Sequence, residues 1–295
     1  MPLKVRTKAD SLPPGARTLI SGAPLTFKTT SSLTWPREGG MIHVSLPGEK
    51  GWETVPLADT IDAITPEHHG ILQLLWEEVD VEKTSPHAVL RLIDSGVKDS
   101  VAQAMSAWKG KRWTLVLEGL HKLYGWHYKA RFLDLQGSKA YQESGGDDEK
   151  ISGRAYGAAH DSYQGWLHEI MSLPIPYVLG TIWEGKTKDD PDNIAKRAPS
   201  HIFPDLPGEM AKRIVGEFTI VLYAEVGLPN PRGQIRGKWT VKPQGKIWGV
   251  GVHLPPEIAK KVPPTIEPPV GEFRACRFSD LEPYLTEVSA ALKSS

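Results

Sequence analysis

A short segment near the amino terminus combines residue types that can bind phosphate. Gly22, Lys28 and Thr29 have the spacing of the P-loop pattern, in which a glycine and four further residues precede Gly-Lys-Ser/Thr. In such a loop the backbone N–H groups and the next helix N-terminus face the phosphates, the lysine contacts the β and γ oxygens, and the hydroxyl binds Mg²⁺. We therefore predict that ATP and Mg²⁺ bind at Gly22, Ala23, Pro24, Leu25, Thr26, Phe27, Lys28, Thr29 and Thr30.

One position of this segment departs from the pattern. Phe27 stands where the second glycine belongs, and a Cβ there can obstruct the approach of the backbone or oppose a positive φ. The alternative interpretation is a plain strand-to-helix turn with a surface lysine. We favour the nucleotide site, because a strand is predicted before the segment and a helix after it.

Two glutamates and a threonine are predicted to act with the loop. Glu118 follows the apolar run 113–117, where an acid, usually aspartate, lies near Mg²⁺; its extra methylene would make it act through water or shift the metal. In a RecA-like layout, Glu49 would be the general base that polarises the attacking water. Thr181, near the end of the run 176–183, has the position of a γ-phosphate sensor. A helix-capping acid and an exposed turn glutamate are the alternatives for Glu118 and Glu49.

The elements that must position these residues alternate between strand and helix. Because helices separate the strands, we predict an α/β fold with a mostly parallel central sheet, flanked by helices and binding its ligand at the strand C-terminal ends. The predicted strands are 16–21, 41–45, 113–117, 176–183, 218–226, 238–241 and 247–254. The predicted helices are 66–80, 87–108, one through Leu123 and Phe132, 156–173 and 281–292, with loops at 136–152 and 184–200.

The composition narrows the class of protein. Lys plus Arg and Asp plus Glu each total 35, which argues against a strongly basic nucleic-acid coat. The single cysteine, Cys276, excludes a disulfide framework and fits a reducing cytoplasm. No 18-residue apolar run is present, so no membrane partner is expected. We predict a core in residues 1–254, followed by a proline-rich connector and terminal helix in 255–295.

The order of the motifs resembles a known family. ISGAPLTFKTTSSLTWP, VSLPGEKG, WTLVLEGLHKLY, YVLGTIWEGK and FPDLPGEMAKRIVGEFTIVLY occur in that order within residues 17–254. The pattern is similar to the compact, phage-encoded RecA-like P-loop ATPases, including those that act as single-strand annealing recombinases. The resemblance implies an ATP-dependent factor in DNA recombination, replication or repair, located in the host cytoplasm.

The resemblance also implies partners. Such proteins form homo-oligomeric rings or filaments, in which a basic residue of a neighbouring subunit contacts the γ-phosphate; Lys242 and Lys246 are candidates. Flexible loops after a strand tip bind single-stranded DNA, and the segment 184–200 offers Lys186, Lys188, Lys196 and Arg197. Asp189, Asp190 and Asp192 alternate with these bases, so a solvated loop of mixed charge is the alternative.

Three functions remain open at this stage. The first is an ATPase stimulated by single-stranded DNA. The second is a nucleotide-binding assembly or regulatory protein with little hydrolysis, because Phe27 and Glu118 depart from the usual residues. The third is a scaffold of the same fold that binds no nucleotide. A small-molecule kinase would need lid arginines, for which Arg154 and Arg197 are available.

Overall fold

The computed structural model describes residues 16–45, 71–74, 83–143, 145–186, 202–207, 210–227, 236–242, 251–252, 260, 262–268 and 275–284. These residues form alternating strands and helices. In chain order they are β1 (Arg17–Gly22), α1 (Lys28–Ser32), β2 (Gly40–Ser45), β3 (Ile71–Leu74), α2 (Pro86–Ala107), β4 (Trp113–Glu118), α3 (Leu120–Gln136), α4 (Lys139–Glu143), α5 (Asp148–Ser172), β5 (Tyr177–Lys186), β6 (Ile202–Pro204), α6 (Met210–Gly216), β7 (Ile220–Val226), β8 (Gly237–Thr240), β9 (Gly251–Val252) and β10 (Thr265–Ile266).

The strands form one large, mostly parallel sheet. Its order is β10–β8–β7–β1–β5–β4–β2–β3. The strands from β7 to β3 in that order are parallel to one another, whereas β8 and β9 pair antiparallel with β7, β10 with β8, and β6 with β5. The predicted α/β fold with a mostly parallel sheet is confirmed.

Both faces of the central strands are buried, which explains their continuous apolar sequences. Leu115 and Leu117 of β4 pack on one face with the apolar sides of α2, α3, α5 and α6. Val116, between them, packs on the opposite face with Trp35 and Trp239. Because successive strand residues point to opposite faces, this alternation places a hydrophobic core on each side of the sheet.

The helices begin and end where the sequence supplies a signal. Ser85 caps α2 by accepting a hydrogen bond from the N–H of Ala88, and Pro86 occupies the first turn. Val89, Ile93 and Val97, spaced four residues apart, form part of its buried face. At the sheet edge opposite the strand C-terminal ends, the Arg17 guanidinium donates to the carbonyls of Met171, Leu173 and Ile175, in and just after the last turn of α5.

Three segments differ from the sequence predictions. The predicted helix 66–80 contains strand β3, which pairs in parallel with β2; the sheet edge offered a backbone ladder that local helical spacing could not reveal. The predicted loop 136–152 contains α4 and the start of α5. The segment after residue 254 contributes β10 to the sheet. The domain boundary at 254 stays a prediction.

Candidate functional site

The loop between β1 and α1 has the backbone of a glycine-rich turn, although most of its residues are not glycine. At the end of β1, a Cβ on Gly22 would overlap the carbonyl oxygen of Ala224 in the neighbouring strand β7. Leu25 and Phe27 have φ of 64° and 60°, the left-handed region that glycine adopts most easily. Phe27 therefore takes the backbone conformation of the glycine it replaces, at a cost of about 1–2 kcal/mol.

The ammonium group of Lys28 lies within this loop. Its Nζ donates hydrogen bonds to the carbonyl oxygens of Gly22 at 2.9 Å and Ala23 at 2.5 Å, and it lies 3.3 Å from Thr26 Oγ1. Thr26 Oγ1 in turn donates to the Ala23 carbonyl at 2.8 Å. Lys28 is 8% exposed, so it is not the surface lysine of the alternative interpretation. The loop thus holds one positive charge at its centre.

Glu118 lies at the C-terminal end of β4 and meets the residue after Lys28. The hydroxyl of Thr29 donates to Glu118 Oε1, and Ser45 Oγ donates to Oε2 at 3.4 Å. Ser45 reaches this position because it is the register partner of Glu118 in the β2–β4 ladder. The α3 helix begins after Gly119, which as a glycine offers no side-chain cap.

A histidine beside Glu118 is buried and neutral. His43 Nε2 lies 3.5 Å from Glu118 Oε2, and Ser45 Oγ lies 3.4 Å from His43 Nδ1. Burial lowers the pKa of His43 to about 3, so this contact is not an ion pair at neutral pH. Glu118, which is 3% exposed, therefore has an uncharged imidazole beside it.

Thr181 lies on β5 beside the turn that follows Glu118. The two residues are register partners, and the N–H of Gly119 lies 3.3 Å from Thr181 Oγ1 and donates to its carbonyl oxygen at 3.2 Å. Gly119 has φ of 87°, a conformation that a side chain would disfavour. Thr181 is thus fixed next to the end of β4, where Glu118 lies. Thr30, another residue of the predicted nucleotide site, is buried in α1.

Several predicted residues are placed elsewhere or not described. Glu49, Lys246 and the segment 187–201, which carries most of the basic residues proposed for DNA, lie outside the described residues. The side chain of Glu184 accepts a hydrogen bond from the hydroxyl of Tyr223 on β7. Lys242 follows β8, and its backbone N–H donates to the carbonyl oxygen of Pro264 at 3.4 Å.

Sequence reasoning missed two groups of residues near the site. His43 and Ser45 reach Glu118 from the end of β2, a position that the strand register could have indicated once Glu118 was chosen. His121 stacks on Trp183, with ring centroids 4.5 Å apart and an interplanar angle of 27°, and Lys122 Nζ lies 4.9 Å from the centre of the same ring. No spacing rule indicates this second contact, because it depends on how α3 packs against β5.

The site suits a cation that takes some of its ligands from the protein and the others from a bound phosphate. Within the described ranges, no group of three or more His, Cys, Asp or Glu residues could hold a metal ion. Thr29 and Glu118 nevertheless offer a hydroxyl and a carboxylate in mutual contact. Mg²⁺ is bound through one or two carboxylates together with substrate phosphates and water, so these residues fit it only if a phosphate is also present.

Comparisons with known proteins show a weak likeness to solved structures and no match to a family model or a curated protein. Among solved structures, the chain is similar to the flagellar accessory protein FlaH from Methanocaldococcus jannaschii, with 10% identity and a TM-score of 0.35, covering 89% of this chain and 91% of that chain. A likeness of this degree says nothing about the chemistry of the site. No described helix is long and apolar enough to cross a membrane.

Proposed function

We propose that the protein is a RecA-like P-loop NTPase that binds ATP with Mg²⁺ at the loop between β1 and α1. The observation that carries the proposal is the pairing of two features at adjacent residues. Lys28 is enclosed by the loop carbonyls of Gly22 and Ala23, while the next residue, Thr29, contacts Glu118. The ammonium group that would bind the phosphates is thereby next to the hydroxyl and carboxylate oxygens that would bind a divalent cation.

Each residue of the site has a distinct task under this proposal. The loop N–H groups and Lys28 bind the phosphate oxygens. Thr29 and Glu118 hold Mg²⁺, which neutralises charge that develops on the phosphates during phosphoryl transfer. Ser45 orients the Glu118 carboxylate through its hydroxyl. His43, which is neutral at pH 7, adds no positive charge beside that carboxylate.

The sequence resemblance extends the proposal to single-stranded DNA. β5 passes Thr181 and Trp183 and continues to Lys186, where the basic segment begins. A basic segment that follows the end of β5, close to the proposed nucleotide site, would be suited to couple ATP to a bound strand. We therefore propose that hydrolysis rises when single-stranded DNA is added, in a homo-oligomeric ring or filament.

A nucleotide-binding protein with little hydrolysis is the second candidate. Two observations favour it: Phe27 strains the loop, and the Glu118 carboxylate contacts the hydroxyls of Thr29 and Ser45 on the metal side of the site. In this case Mg²⁺ and ATP still bind, and nucleotide stabilises an assembly rather than being consumed.

The test is nucleotide binding and turnover by the full chain and by Lys28→Ala. We expect calorimetry to detect binding of Mg-ATP to the unaltered protein, and the variant to bind roughly 100-fold more weakly, since it loses charge-assisted contacts to phosphate. Lys129→Ala, on the outer part of α3, is the matched control and should bind normally.

The outcomes separate the candidates. Turnover that rises with single-stranded DNA supports the ATPase, whereas binding with background turnover supports the second candidate. Absence of binding by the unaltered protein, or equal binding by Lys28→Ala, would show that the loop is a structural turn and would contradict both.

A further inference from the structure

Three side chains beside the phosphate loop have no task in the function proposed so far. Trp183 is the register partner of Gly22, so its backbone lies next to the residue where the loop begins. His121 and Lys122 both contact its ring and come from the first turn of α3, directly after Glu118 and Gly119. The His121–Trp183–Lys122 cluster therefore lies between the loop, β5 and the end of β4, where Glu118 is located.

Backbone hydrogen bonds hold the cluster in place from two sides. The N–H of Gly119 donates to the Thr181 carbonyl at 3.2 Å and fixes the start of α3 on β5. The N–H of Asp205, just after β6, donates to the carbonyl oxygen of Trp183 at 2.7 Å. Stacking at a centroid distance of 4.5 Å then sets the orientation of the His121 ring.

The cluster and the loop together concentrate positive charge. Burial, together with the charges of Lys122 and Lys28, lowers the pKa of His121 to about 4. The imidazole is therefore neutral at pH 7, carries one N–H donor, and lies within electrostatic reach of two ammonium groups. Carboxylates lie near both lysines: Asp205 is within electrostatic reach of Lys122, and Glu118 contacts Thr29, the residue after Lys28. The two ammonium groups and the imidazole N–H are the donors that an anionic phosphate would contact.

We propose that His121 and Lys122 contact the terminal phosphate of a bound nucleoside triphosphate and thereby make the site favour triphosphates over diphosphates. This inference rests on the proposed nucleotide site. The loop and Lys28 follow β1, whereas His121 and Lys122 follow β4, and β5 separates the two strands. Phosphates held by the loop amides lie nearest β1, so the last phosphate is the one that extends toward the cluster.

The experiment compares affinities for ADP and for a non-hydrolysable ATP analogue, both with Mg²⁺. His121→Phe keeps an aromatic ring against Trp183 but removes the donor, and Lys122→Gln keeps most of the length but removes the charge. We expect each variant to bind the analogue about tenfold more weakly and ADP within about twofold of the unaltered protein.

The chain offers a matched control on the same helix. Lys129 Nζ lies 4.6 Å from the centre of the Trp126 ring, which is the same kind of contact outside the site. Lys129→Gln should leave both affinities unchanged. Circular dichroism establishes whether each variant folds. If His121→Phe does not fold, the affinities of Lys122→Gln decide the question.

Two failures are distinguishable. If the unaltered protein binds neither nucleotide, the nucleotide site itself is wrong and this inference falls with it. If the unaltered protein binds both, and the variants lose affinity for both equally or for neither, the nucleotide site stands and the role of His121 and Lys122 is overturned.

Discussion

Two residues of the loop between β1 and α1 have a backbone conformation that their side chains disfavour. Within the described residues, Leu25 and Phe27 are the non-glycine positions with positive φ. The sequence motif identified Phe27 as a departure that could block phosphate, because a motif compares residue types and not backbone angles. In the structure the loop keeps its left-handed turn at Phe27, so the departure appears as strain rather than as a different path of the chain.

The strain at Leu25 can be measured without disturbing the core. Its side chain is 81% exposed, so Leu25→Gly removes little packing while relieving about 1–2 kcal/mol of steric cost. Glycine also loses about 0.5–1 kcal/mol more entropy on folding. We expect the free energy of unfolding, measured in urea, to rise by up to about 1 kcal/mol.

A second substitution at the same position provides the control for Leu25→Gly. Leu25→Ala retains a Cβ and should give no such gain. A loss of stability in Leu25→Gly as large as that in Leu25→Ala would contradict a strained loop.

Lys28 and Glu118 could be selected from the sequence because each belongs to a local pattern, a loop spacing and a strand end. Ser45 and His121 could not be selected in this way. Each approaches the site through a partner distant in the chain, namely Glu118 across the β2–β4 ladder and Trp183 across the contact between α3 and β5. Register and helix packing are properties of the folded chain, which residue spacing alone does not determine.

At the scale of elements, one buried arginine connects the central strand to the longest described helix. Arg17 begins β1, and its guanidinium donates to Ile175 at 2.8 Å, Leu173 at 3.0 Å and Met171 at 3.3 Å. Burial lowers the pKa of Arg17 to about 10, which still leaves it charged at neutral pH. A cation at the C-terminal end of α5 also interacts favourably with the helix dipole.

We expect Arg17→Met to destabilise the protein by about 3 kcal/mol, because three carbonyls, two of them in buried contacts, lose their donor. The measurement is the free energy of unfolding by chemical denaturation. Since Arg17 lies at the sheet edge opposite the loop, nucleotide affinity in the folded variant should not change.

A surface arginine is the control for this prediction. Arg112 forms ion pairs with Glu38 and Glu282, but its side chain is 46% exposed. Arg112→Met should therefore cost less than about 1 kcal/mol. Equal costs at the two positions would show that the contacts of Arg17 are not a major source of stability.

The strands with continuous apolar sequence were predicted correctly, because burial on both faces leaves an unmistakable run such as 113–117. The element at 71–74 was predicted as helix, since Ile71, Leu72 and Leu75 also fit helical spacing. A short apolar segment is compatible with either structure until a neighbouring strand edge is known, and here β2 supplies that edge.

At the scale of the whole molecule, the carboxyl-terminal part of the chain belongs to one of the two cores. The Trp35 ring packs against Phe278, with ring centroids 5.3 Å apart, and against Trp239, with ring centroids 5.7 Å apart. Cys276 and Leu281 are buried in this cluster as well. The proline content of residues 255–269 indicated a connector, but composition does not show which side chains are buried in the folded chain.

We expect a chain ending at residue 254 to lose cooperative unfolding, because it lacks β10 and the apolar side chains that cover Trp35. Thermal unfolding followed by tryptophan fluorescence provides the measurement, and the emission should move to longer wavelength as Trp35 meets water. An unchanged melting temperature would instead support an independent core in residues 1–254.

The position of β1 restricts how the loop between β1 and α1 can move. β1 is hydrogen-bonded along its length to β5 on one side and β7 on the other, so shifting the base of the loop would break two ladders at once. The tip of β5 is less restrained, because beyond Trp183 it has left the ladder with β1 and pairs with the short β6. If the loop binds and turns over nucleotide as proposed, displacement would therefore be transmitted along the end of β5 and along β6, with the sheet centre remaining stationary.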